Sequence, residues 1–157
     1  MSRSSATTLG FGRDAIHALP GDPDKIAAVL TRFHVYGMQQ TSQRCPIAVL
    51  LYRVSDALWA VSSDYAHLLA MGVDVPVPNA VGLFVEQFDK GAYPWLRRDR
   101  PTDGPDKLAL YRSKERQMIE ALRDTPEVVI CMTSLIAIMD RRRTVNYEQP
   151  TGYVAHD

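Results

Sequence analysis

Cysteine is scarce in this chain: Cys45 and Cys131 are the only two in 157 residues, and they lie far apart. Two thiols at that separation build neither a disulfide framework nor a Cys-x-x-Cys site, and they point to a reduced, cytoplasmic setting. Long apolar runs are missing too. The longest, Val128 to Met139, is interrupted by Thr133 and Ser134 and is too short to span a bilayer, so no membrane partner is expected. Net charge is absent, because eighteen basic and eighteen acidic residues cancel. No overall field therefore draws the molecule to nucleic acid or anionic lipid, and any such binding must come from a local patch. Lysine is rare, four against fourteen arginines, a bias more suggestive of a GC-rich genome than of a function. Arginine also suits bidentate phosphate contacts, so the bias does not exclude them.

Metal-ligand spacing is lacking as well. His17, His34, His67 and His156, taken with the two cysteines, form no CxxC, HxxxH or HExxH pattern, so no metal is expected. Gly10-Phe11-Gly12-Arg13-Asp14-Ala15 matches the loose G-x-G-x-x-A pattern of dinucleotide sites. No strand precedes it, and Pro20-Gly21 would break the helix it must open, so no cofactor is expected. The N-terminus has no apolar core of the kind a secretory signal needs. It is Ser/Thr-rich and acid-poor, like a transit peptide, but reads more simply as a disordered tail over residues 1–20.

What is present is a set of helix signals. Asp22-Pro23-Asp24 supplies a cap, a proline for the first position and an acid for the positive end of the dipole; Ile26, Val29, Leu30 and Phe33 then form a stripe, with Gly37 as the stop. A second start at Cys45-Pro46 leads into Ile47, Leu50, Leu51 and Val54 on one face. Val73, Val75 and Val77 alternate with Asp74 and Pro76, the mark of a half-buried strand at a sheet edge. Asn79 is then expected to cap a central helix with Val81, Phe84, Val85 and Phe88 on one face, ended by Gly91. Residues 55–72 read either as one helix or as two strands, Leu58 to Ser62 and Tyr65 to Leu69, turning at Ser63-Asp64. Strands are preferred, because an edge strand at 73–77 needs a neighbour.

Tyr93-Pro94-Trp95-Leu96 looks like an aromatic plug turning back on the core, and Arg97 to Pro105 concentrates charges and breakers, marking a boundary. Pro105 and Thr125-Pro126-Glu127 each open a further helix. The second is β-branched and apolar nearly all round over 128–139, so buried strands remain the alternative there. The expected organisation is a tail (1–20), an α+β core (21–98) with a short antiparallel hairpin or meander, a helical extension packed on it (99–140) and a polar tail (141–157). An all-α fold is the alternative, should 55–72 be helical.

Three kinds of site compete. Cys45, at a helix N-terminus, is a candidate nucleophile if the dipole lowers its pKa and His34 or His67 serves as base. Arg97, Arg98 and Arg100, beside Tyr93 and Trp95, and the run Arg141, Arg142 and Arg143 are candidate nucleic-acid contacts, weighed against an ordinary solvated surface. Tyr93, Trp95, Arg97 and Arg98, or the 105–139 arm, are candidate partner-binding surface, since aromatics and Arg anchor interfaces.

Cys45-Pro46-Ile47-Ala48 together with Pro78-Asn79-Ala80-Val81, Phe84-Val85, Phe88-Asp89 and Gly91-Ala92-Tyr93-Pro94-Trp95-Leu96 resembles a group of small actinobacterial and actinophage proteins of unassigned function. The likeness covers about residues 24–96 and carries no catalytic residues. Another protein is the expected partner and a regulatory or accessory role the expected function, with nucleic acid second and an enzyme built on Cys45 third.

Overall fold

Proline opens α2 (Pro23–Arg32), α3 (Pro46–Ser55), α5 (Pro105–Leu122) and α6 (Pro126–Val154), where its missing N–H would have had no helical partner anyway. The computed structural model describes residues 5–98 and 104–154, with side chains through Thr144 in the last stretch. Asp22 caps α2 as expected, its Oδ1 accepting the Asp24 amide at 3.3 Å. The helix stops earlier than Gly37, at Arg32, and His34 turns the chain with φ 54°. In the central helix α4 (Asn79–Asp89) Asn79 is the first helical residue and Pro78 the cap, with no side-chain bond to the orphan amides. The ending holds, because Gly91 follows in a left-handed conformation.

The ambiguous stretch is a meander. β1 (Trp59–Val61), β2 (Tyr65–Leu68) and β3 (Val73–Pro76) pair antiparallel in that order, with Trp59 opposite Leu68 and Ala66 opposite Val75. Trp59, Val61, Ala66, Leu68 and Val75 are buried, and Pro76 sits on the edge strand where its missing donor costs no ladder bond. The fold is therefore a small α+β domain, helix-rich, with a three-stranded antiparallel sheet.

All four stripe residues of α4 are buried, and Phe84 stacks on Phe88 and Tyr93 with ring centroids 6.1 and 5.3 Å apart. At roughly 1.5–3 kcal/mol each, the four contribute about 6–12 kcal/mol gross, an upper bound.

Both ends of the chain depart from expectation. Residues expected as a tail form helix α1 (Ser5–Ala18), which buries Phe11, Ala15 and Ile16 against α3 and α6. Its two glycines hide the helical pattern, yet Gly12 is what lets the helix lie flat on the indole of Trp59, where any Cβ would collide with the ring. At the other end α6 continues through residues 141–154, expected as a polar tail. Val128, Cys131, Leu135 and Ile138 join one hydrophobic core that begins at Phe11, so α1 and α6 belong to the core and are not appendages. The 3₁₀ turn Pro94–Leu96 and α5 lie beside α2, while most of the expected boundary, residues 99–103, falls outside the described residues.

Candidate functional site

A cleft of about 330 Å³ is walled by the 40–45 loop, the Ser62-Ser63 turn and Val85, Glu86 and Asp89 of α4. Gly82 brings its walls together, because α4 approaches the Ser63 carbonyl where a side chain would clash. Hydrogen bonds then tie the walls: Asp89 Oδ1 accepts the Gln40 amide at 2.8 Å, and Gln39 Nε2 donates to the Phe88 carbonyl at 3.0 Å. Ser62 Oγ accepts the Asp64 and Tyr65 amides and so is spent on its own turn.

Cys45 lines this cleft at the start of α3 but is only 2 % exposed. Burial pushes its thiol up to about 11 and Asp89 adds to the rise, outweighing the Ala48 and Ile47 amides that pull the other way. The expectation of a lowered pKa is overturned, since desolvation in an apolar setting exceeds the pull of the helix N-terminus. Neither histidine lines the cleft. His34 is exposed on the α2–α3 link, its carbonyl held by Arg53 at 3.0 Å, and His67 stands on the outer face of the sheet, 2.6 Å from Asp74. No nucleophile and base are brought together there. Among the described residues, no three His, Cys, Asp or Glu side chains could hold a metal.

The aromatic turn is a plug and not a surface. Trp95 is buried and donates from Nε1 to Thr31 Oγ1 at 3.0 Å, while the hydroxyl of Tyr93, also buried, donates a hydrogen bond to Asp24 Oδ1 at 2.6 Å. Burial, and then the Asp24 carboxylate, drive the Tyr93 pKa upward. With both polar tips satisfied inside, these residues present no face to a partner, and that expectation is corrected.

The arginines are divided. Arg97 and Arg98 follow the 3₁₀ turn, where the Arg98 amide donates to the Gly37 carbonyl at 2.8 Å, and Arg100 lies outside the described residues. Arg141 pairs with Asp14 at 3.1 Å and Arg143 with Asp140 at 2.7 Å. Arg142 continues the inward spacing 128, 131, 135, 138, 142; its buried Nε has no hydrogen-bond partner among the described residues.

A second surface was less legible. On α6 the side turned away from the core carries Val129, Ile130 and Ile136, 47 %, 65 % and 48 % exposed, with exposed Thr133 and Ala137 between them. The signal was the composition of 128–139, apolar all round, which a helix buried on one side only does not need. α5, which packs on α2 and the 3₁₀ turn, buries none of its residues fully, although Leu108, Tyr111, Met118 and Leu122 lie on one half-covered side. Among the described residues no helix is long and apolar enough to cross a membrane. Comparison with protein-family models, curated proteins and solved structures finds no match.

Proposed function

We propose that this chain is a non-catalytic interaction protein of regulatory or accessory type, working in the cytoplasm and docking a protein through the outward face of α6. The observation that carries the reading is the second apolar stripe on that helix, Val129, Ile130 and Ile136, left in solvent while the opposite stripe is buried. Contiguous exposed apolar side chains mark an association surface more often than scattered ones do. The protonated, buried thiol of Cys45 and its separation from both histidines weigh against an enzyme. Internal pairing of Arg141 and Arg143 weighs against a phosphate grip. Two buried, unpaired cysteines suit a reducing compartment.

The test compares the tagged wild-type chain with an Ile130→Glu/Ile136→Glu variant in nuclease-treated capture from the source cell, quantified by mass spectrometry. A protein bound by the first and lost from the second supports the reading. An identical set on both overturns it.

A further inference from the structure

We infer that the outward face of α6 pairs with the same face of a second copy of this chain, antiparallel, about a two-fold axis passing by Thr133. The inference rests on the interaction reading above and names its partner. The stripe is nearly a palindrome. Ile130 and Ile136 stand three residues to either side of Thr133, and Val129 and Ala137 stand four to either side. A two-fold contact requires such self-complementarity, since residue i of one copy meets j of the other and j meets i. Antiparallel pairing sets Ile130 against Ile136 and lets the larger Val129 lie against the small Ala137. Thr133 raises no obstacle at the axis, because its hydroxyl already donates to the Val129 carbonyl of its own helix at 2.9 Å.

The palindrome selects the antiparallel sense, and charge agrees with it. Asp140 lies seven residues after Thr133 and Pro126 seven before it, so antiparallel pairing brings the Asp140–Arg143 pair of each copy to the N-terminal end of the other α6, beside its Arg123–Asp124 pair. Parallel pairing would instead set Asp140 against Asp140. Area sets the strength. One helix face of this length provides less than the roughly 800 Å² per partner of a standard stable interface, so the pair forms and separates with concentration.

Two measurements on the full chain test this. Sedimentation velocity over a wide concentration range is expected to show a monomer passing to a dimer, and Ile136→Glu to remain monomeric, with a melting curve that matches the wild type's in dilute solution. Mild oxidation of Thr133→Cys is expected to give a disulfide-linked dimer, as the axis brings the two Cβ atoms close; Ser113→Cys, exposed on α5, is not. The native Cys45 and Cys131 are buried and do not compete. A wild type that stays monomeric, a dimer that survives Ile136→Glu, or a Thr133→Cys that links no better than Ser113→Cys would each overturn the inference. If the chain is monomeric while capture of another protein still depends on Ile130 and Ile136, the second copy is refuted and the interaction reading stands.

Discussion

The two sides of α6 are built from the same kinds of residue and live in opposite surroundings. Inward, Val128, Cys131, Leu135 and Ile138 are at most 4 % exposed, held against α1, α2 and α3. Outward, Val129, Ile130 and Ile136 stay about half exposed or more. Composition alone does not tell the sides apart; what separates them is which neighbour the rest of the chain supplies. The inward side has one because residues 5–18 fold into α1 and complete the groove that α6 fills. Ion pairs reinforce the same side, with Lys25 Nζ 2.8 Å from Glu127 and Arg141 3.1 Å from Asp14. Lys25 holds the Glu127 carboxyl below its usual range. Both pairs are open to water, so they orient the helix more than they stabilise it.

Truncation on the inward side should have the largest effect. Leu135→Ala is expected to cost about 2–5 kcal/mol, with Phe84→Ala at about 3–5 kcal/mol as the reference for the deepest part of the core. Urea denaturation would measure both. If Leu135→Ala leaves the midpoint in place, α6 is not part of the core and the contrast between its sides disappears. Gly12→Ala comes next, at about 1–3 kcal/mol, through overpacking against Trp59. It tests the far wall of the same groove, and a neutral result would mean that α1 does not lie where it is described.

Neighbouring thiols sharpen the contrast without changing the fold. Burial pushes Cys131 up to about 12 from an ordinary 9.0, so at neutral pH its thiolate is far scarcer than that of a free cysteine. An Ile130→Cys variant, one residue away on the wet side, should alkylate like a free cysteine while Cys131 waits for unfolding. The sign for stability follows. The raised folded-state pKa favours the folded chain while the thiol is protonated, and that contribution is lost as pH climbs from about 9 toward 12. Equal alkylation rates at the two positions would remove the distinction.

Local signals made much of this fold readable. Asp22-Pro23, the stripe of α4, Gly91 and the alternation at Val73 to Val77 each act within a few residues, and each appears where its chemistry puts it. Interactions distant in sequence were not readable. Gly12 looks like a break in a helix until Trp59 is seen to need the space. Tyr93 and Trp95 look like anchors for a partner until Asp24 and Thr31 are seen to hold them. Cys45 was judged from its place at a helix start, and burial among distant residues reversed its chemistry. The outward stripe of α6 was half legible: its apolar character is plain in the letters, and its exposure is a property of what the fold leaves uncovered.

The smallest expected effect is the most discriminating. Ile136→Ala, measured at a concentration low enough to keep chains apart, should change stability by no more than about 0.5 kcal/mol, as surface substitutions usually do. Leu135, the adjacent residue, should cost several times that under the same conditions. Raising the concentration ought then to stabilise the wild type more than Ile136→Ala, since association adds to the stability of the folded chain by mass action. A loss of 2 kcal/mol or more for Ile136→Ala in dilute solution, as expected of a core position, would mean the outward side is covered within a single chain. That stripe would then belong to the core, and the surface on which both functional inferences depend would not exist.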